Sequence, residues 1–108
     1  MRSVSSSTAR VLSFALLAGS GAASAQDAAA LRIAALAATC ANCHGTLGRA
    51  IDGAAVPGLA GMPAPYLVEQ LKTFKAGTRP ATVMHQLAKG YSEAQIDQIA
   101  AYFAAQKK

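Results

Sequence analysis

Both cysteines of this 108-residue chain fall in one five-residue stretch, Cys40-Ala41-Asn42-Cys43-His44. No other feature restricts the fold as much. Two thiols at i and i+3 share one face of a helical turn, and a histidine adjoins the second. Four chemistries use such a cluster. A thioredoxin-like redox pair needs a βαβ setting, and the chain carries no strand period. A disulfide is chemically possible in an oxidising compartment, but it explains neither the thin core nor the long loop of this chain. Zinc has a nominal set of two Cys and two His, yet His44 abuts Cys43 and His85 lies outside the usual H-x₃₋₅-H spacing. The fourth reading is C-x-x-C-H as c-type haem attachment, in which each thiol adds to one vinyl group and the histidine is drawn under the iron. The rest of the chain favours this fourth reading.

Residues 1–25 read as a segment apart. Arg2 and Arg10 form a basic n-region, Val11 to Ala23 is an uncharged apolar run, and Ala23-Ser24-Ala25 is a small-x-small cleavage signal. Together they predict a secretory signal peptide cut after Ala25. The apolar run falls short of the roughly 20 residues a membrane span needs; retention as an anchor is the alternative. Arg2 and Arg10 are not adjacent, so no twin-arginine signal is present. Residues 26–108 are then expected to be one monohaem domain, exported to the periplasm, with no membrane span of its own.

From Gln26 onward, eight basic side chains stand against five acidic ones, a net charge of +3 where the full chain has +5. Part of the basic balance therefore belongs to targeting. No basic run is interleaved with aromatics, so nothing points to nucleic acid. A domain this small buries little surface and often needs a metal, disulfides or a cofactor. The chain has no Trp and three Phe, one of them (Phe14) in the apolar run. Its own side chains make a thin core.

The local signals are helical throughout. Asp27 to Thr39 is alanine-rich, and Leu31, Ala34, Ala35 and Ala38 recur on one helical face, with Asp27 as a candidate N-cap. Gly45 to Met62 holds five glycines and Pro57 without any period, and reads as loop. Such a loop in so small a domain suits one that wraps a ligand. A second helix is expected from near Pro65, with Tyr66, Leu67, Gln70, Leu71 and Phe74 on one face and Gly77 as its stop. Thr82 to Lys89 allows one or two turns, broken at Gly90-Tyr91. Ser92-Glu93-Ala94-Gln95 fits a capping box, and Ile96, Ile99, Ala100 and Phe103 form the stripe of a last helix. The expected architecture is all-α, three to five short helices with long loops around one haem.

A haem iron has a second axial position. After the predicted cleavage point the methionines are Met62 and Met84, and His85 offers a bis-histidine pairing. Methionine is a common partner and raises the reduction potential. Met84 lies well down the chain from His44, far enough for the backbone to cross to the other haem face. Met62 follows His44 closely, in the loop leaving the histidine side. Met84 is the preferred ligand; His85, Met62 and an open site are the alternatives. His44 also needs an acceptor for its other ring nitrogen. The Pro57 carbonyl, on stiff backbone just after the Gly-rich loop, is the candidate.

These residues resemble the small bacterial class I cytochromes c. The pieces are Cys-Ala-Asn-Cys-His-Gly at 40–45, Pro57-Gly58-Leu59-Ala60-Gly61, Tyr66 to Leu71, Phe74 to Arg79, Met84, and a final helix holding Ala100-Ala101-Tyr102-Phe103. The resemblance implies one covalent haem c on Cys40 and Cys43, with His44 and Met84 as axial iron ligands. It also implies a pocket with Pro57, Leu59, Tyr66, Leu71 and Phe74, and first and last helices that cross beside the haem. Thr82-Val83-Met84 and Ala88-Lys89-Gly90-Tyr91-Ser92 are similar to the cytochrome subunit of flavocytochrome c sulfide dehydrogenase, in which a flavoprotein subunit passes electrons to the cytochrome. Relatives there often carry two haem domains and a Gln where this chain has Met62. The expected function is electron transfer, not catalysis, with that flavoprotein or another redox protein as partner. The alternatives are a freely diffusing respiratory carrier and, with the sixth site open, a haem sensor or peroxidase-like enzyme.

Overall fold

The structure is a computed structural model and describes the backbone of residues 8–108 and the side chains of residues 24–108. The expectation placed on Arg2 lies outside the described residues, as do those on the side chains of Arg10 and of residues 11–23. The elements are α1 (Thr8–His44), a short 3₁₀ turn (Thr46–Gly48), α2 (Ala64–Ala76), α3 (Met84–Lys89) and α4 (Glu93–Ala104), with no strand among the described residues. The chain falls into two compact units, one ending at Arg32 and the other running Ile33–Lys108.

Helix α1 corrects two expectations. Asp27 is not an N-cap, because the helix already runs through it; an alanine-rich stretch without Gly or Pro nearby gives the backbone no reason to break there. The buried face is also different. Ala37 is buried, and Leu36 and Cys40 pack with it against the core, while Leu31 is 71% exposed. Where most side chains are alanine, two neighbouring stripes fit the period almost equally well. The larger side chains Ile33 and Leu36 decide between them, and the outcome turns Cys40 and His44 towards the core.

The later helices follow their punctuation. Pro63 and Pro65 open α2, and Gly77 closes it in the left-handed conformation at φ 75°, its N–H reaching the Phe74 carbonyl at 3.0 Å. Leu67 is buried and Leu71 packs beside it, while Tyr66 is exposed. The capping box forms as expected: the Gln95 N–H donates to Ser92 Oγ at 3.2 Å, and the Ser92 N–H to Gln95 Oε1 at 2.9 Å. Ile96, Ile99, Ala100 and Phe103 are all buried on α4.

Ala37, Leu67, Ile99, Ala100 and Phe103 form the core, drawn from α1, α2 and α4. Helix α2 also packs on α3. Phe103 and Ile96 are the largest fully buried side chains, and each contributes only about 1.5–3 kcal/mol of burial. Phe103 also governs the loop. Its ring lies where a Cβ on Gly48 would have to go, and its carbonyl accepts the Gly61 N–H at 2.9 Å. Gly48 in turn accepts the Leu59 and Ala60 N–H groups at 2.8 and 3.1 Å. The glycine-rich loop is thus tied back on itself and pinned to the end of α4.

Candidate functional site

The C-x-x-C-H stretch is the last turn of α1. Cys40 is half-buried, Cys43 is exposed, and His44 is 9% exposed. Both thiols are free. Burial pushes the Cys40 thiol above its ordinary range; the Thr39 hydroxyl pulls it down and Cys43 pushes it up again. Cys40 and His44, four residues apart, face the core together. The chain then leaves at once through Gly45 at φ 90°, where any Cβ would overlap the Arg49 carbonyl. Only glycine allows so sharp an exit directly after the histidine.

His44 is held by the loop it precedes. Its Nδ1 lies 2.6 Å from the carbonyl oxygen of Pro57, the acceptor expected from the sequence. A carbonyl can only accept, so Nδ1 carries a proton and donates it to this bond, which leaves Nε2 as the nitrogen available to a metal. Pro57 is itself fixed by the neighbouring Leu59–Gly48 bond. The bond sets the orientation of the imidazole ring, which is what a metal-ligating histidine requires.

Met84 is the first residue of α3 and half-buried. Its neighbour His85 has a buried Nδ1 that finds no hydrogen-bond partner among the described residues. Of the other anticipated residues, Leu59, Met62 and Leu71 pack against the core, whereas Tyr66 stays exposed. Phe74 lies under the Arg79 guanidinium, 4.7 Å from its ring centroid, instead of in the core cluster. Among the described residues no three of His, Cys, Asp or Glu come together as a metal-holding group, so the zinc reading has no second half.

The structure adds residues that sequence reasoning passed over. Tyr91 donates its hydroxyl proton towards Thr39, and Lys75 donates to the Tyr91 carbonyl. Arg49 Nε donates to the Lys107 carbonyl at 2.8 Å. No local pattern signals these contacts, because they join positions far apart in the chain.

Comparison with known proteins agrees with this arrangement. Residues 28–107 match the family model described as cytochrome c. The chain belongs to the cytochrome c family. Among relatives, it is 43% identical over 68 residues to the thiosulfate dehydrogenase electron acceptor of Thiomonas intermedia, a match covering 63% of this chain and 31% of that protein. It is 42% identical over 65 residues to the cytochrome subunit of sulfide dehydrogenase of Chlorobaculum tepidum, covering 60% and 57% respectively. The chain therefore spans about a third and just over half of these relatives. A solved cytochrome c4 structure from Acidithiobacillus ferrooxidans superposes with a TM-score of 0.58 at 39% identity, over 61% of this chain and 37% of that one. The fold is that of class I cytochromes c.

Cytochromes c carry covalently bound haem c, and residues 28–107 make one haem-binding domain. The residues fit that group. Two thiols stand a helical turn apart, one imidazole presents a free Nε2, and a thioether lies on a separate element. Among the described residues, no helix is long and apolar enough to cross a membrane.

Proposed function

We propose that this cytochrome c transfers single electrons through a haem attached at Cys40 and Cys43 and ligated by His44 and Met84, in the periplasm. The observation that carries the reading is the 2.6 Å bond from His44 Nδ1 to Pro57 O in the turn that holds both thiols. It leaves one nitrogen, Nε2, for the iron. The bound haem supplies a one-electron Fe³⁺/Fe²⁺ couple. The chain's part is to hold that couple still. Hydrogen-bond donation to the Pro57 carbonyl makes His44 a better σ-donor. A neutral Met84 thioether favours the reduced iron and raises the potential. Leu59 and Leu71 keep water from the pocket, with Tyr66 and Phe74 at its margin. With both axial positions filled, the site is built for electron passage and not for substrate chemistry.

The donor we propose is the flavoprotein subunit of a sulfide-oxidising dehydrogenase. The chain spans more of the sulfide dehydrogenase cytochrome subunit than of the thiosulfate dehydrogenase acceptor, 57% against 31%. Residues 1–25 serve as the export signal.

Two measurements test this. The oxidised haem protein should show the far-red absorbance band of Met–Fe³⁺ bonding, and Met84→Ala should abolish it; carbon monoxide binding to the reduced wild type would overturn the ligand assignment. Purification from the native source at low salt should yield a complex with a flavoprotein. Recovery of the cytochrome alone, with no flavoprotein under any salt condition, would favour a freely diffusing carrier.

A further inference from the structure

We propose that Tyr91 is a positioning residue for the methionine side of the haem, holding the α3 segment and Met84 against the helix that carries Cys40 and His44. The proposal rests on Met84 being the second iron ligand.

Three contacts converge on Tyr91. Its hydroxyl lies 2.9 Å from Thr39 Oγ1, on the residue directly before Cys40. Thr39 spends its own proton on the Leu36 carbonyl at 2.8 Å, so in this pair Tyr91 is the donor and Thr39 the acceptor. The Tyr91 carbonyl accepts from Lys75 Nζ on α2, and its ring packs against the core cluster. The residue is thus gripped at its backbone by α2 and at its hydroxyl by α1.

Its place in the chain gives the grip a purpose. Met84 begins α3, a helix of six residues whose N-cap, Val83, makes no side-chain cap bond. Val83 and Leu87 are 52% and 50% exposed. So short a helix has little stability of its own. It ends at Lys89, and Gly90 bonds back to it, its N–H to the Leu87 carbonyl at 3.1 Å. Tyr91 follows immediately, with its N–H on the Ala88 carbonyl at 3.2 Å. Any movement that swings α3 away from the core must therefore carry Tyr91 along or bend at Gly90. In the first case the Tyr91–Thr39 bond resists it, and the bonds from the Gly90 and Tyr91 N–H groups back to Leu87 and Ala88 oppose the second. One bond joins the methionine-bearing segment to the turn that holds the attachment cysteines, across 52 positions of sequence.

The test uses an added ligand that can bind the iron only when Met84 leaves it. Imidazole is titrated into the oxidised haem protein, and displacement is followed by loss of the Met–Fe³⁺ band. Opening that carries Tyr91 along with α3 breaks the Tyr91–Thr39 bond, so removing that bond makes opening easier and apparent imidazole affinity higher. Tyr91→Phe should bind imidazole about fivefold more tightly than wild type, the effect of one neutral hydrogen bond. Thr39→Val should do the same and Thr39→Ser should stay near wild type. The Tyr91→Phe, Thr39→Val double variant should add nothing to either single change. Gln106→Ala is the control: it removes another neutral hydrogen bond, from a side chain to the Tyr102 backbone carbonyl at the far end of α4. It should leave imidazole affinity unchanged. Wild-type affinity in both Tyr91→Phe and Thr39→Val would overturn the proposal while leaving Met84 as ligand. So would an equal rise in Gln106→Ala, since that would reduce Tyr91 to general stability. Absence of the Met–Fe³⁺ band from wild type would sink the ligand assignment itself, and this proposal with it.

Discussion

The two sides of the haem site are built differently. On the histidine side, backbone fixes the geometry. His44 ends a long helix, Gly45 turns the chain, Gly48 collects the Leu59 and Ala60 N–H groups, and Pro57 accepts the imidazole hydrogen bond. On the methionine side, Met84 opens a six-residue helix without a side-chain cap. That helix is held by packing on α2 and by a few side-chain ties through Tyr91 and Lys75. The difference teaches that one proposed ligand is placed largely by the nearby backbone and the other by tertiary contacts. The first should survive perturbations that release the second.

The largest expected effect falls on both sides at once. Replacing Cys40 and Cys43 with Ala removes haem attachment, and with it apolar burial on the order of 10 kcal/mol before ordering costs. Circular dichroism should show lost helicity and no cooperative melt. Native-like helicity would mean that the thin core of Ala37, Leu67, Ile99, Ala100 and Phe103 suffices alone, and the haem would then divide nothing.

Phe103→Ala is the next largest. Phe103 is 1% exposed and props the glycine loop at Gly48. Its truncation should cost about 3–5 kcal/mol in denaturant melts of the haem protein. If the histidine side is the firmer one, the Met–Fe³⁺ band should disappear at lower denaturant than haem absorbance in general. Simultaneous loss of both signals would show the two sides to be one cooperative unit.

Ser92→Ala acts beside Tyr91 on the methionine side, removing the cap of α4. The expected loss is about 1 kcal/mol, read as a lower melting temperature with the His44 environment unchanged by NMR.

The smallest effect is electrostatic. Glu93 pairs with Lys72 and Lys75 at 3.1 and 3.4 Å, and the Lys72 bond above all holds its carboxyl below the usual range. A depressed carboxylate contributes stability above its unfolded value and loses it as pH falls through the folded one. Acidification below the ordinary carboxylate range should therefore lower stability slightly more in wild type than in Glu93→Gln. The group is fully exposed, so salt should erase the difference.

How much of this is legible in the sequence follows the same division. Gly77, the Ser92/Gln95 box and the α4 stripe are local signals, and they place the later helices. The Pro57 acceptor is legible because few groups near a metal-binding histidine offer a stiff, unshared carbonyl. The buried face of α1 is not, because alanine blurs the period that larger side chains make sharp. Tyr91 reads as a simple helix break after Gly90. Its partner stands 52 positions away, and no spacing rule joins a tyrosine to a threonine at that distance. The pocket residues divide similarly: Leu59 and Leu71 lie on the core, but Tyr66 faces outward, where helical period alone puts it inside.

The stitching of the glycine loop to the chain's far end has a consequence in time. Gly61 hangs on Phe103, and Arg49 hangs on Lys107. A polypeptide is made from its N-terminus, so the attachment motif at 40–44 exists well before the residues that pin its loop. Until residues 103–107 follow, both cysteines and the histidine sit on a stretch of chain that these ties do not yet close. The segment that shuts the site is made after the motif it closes over.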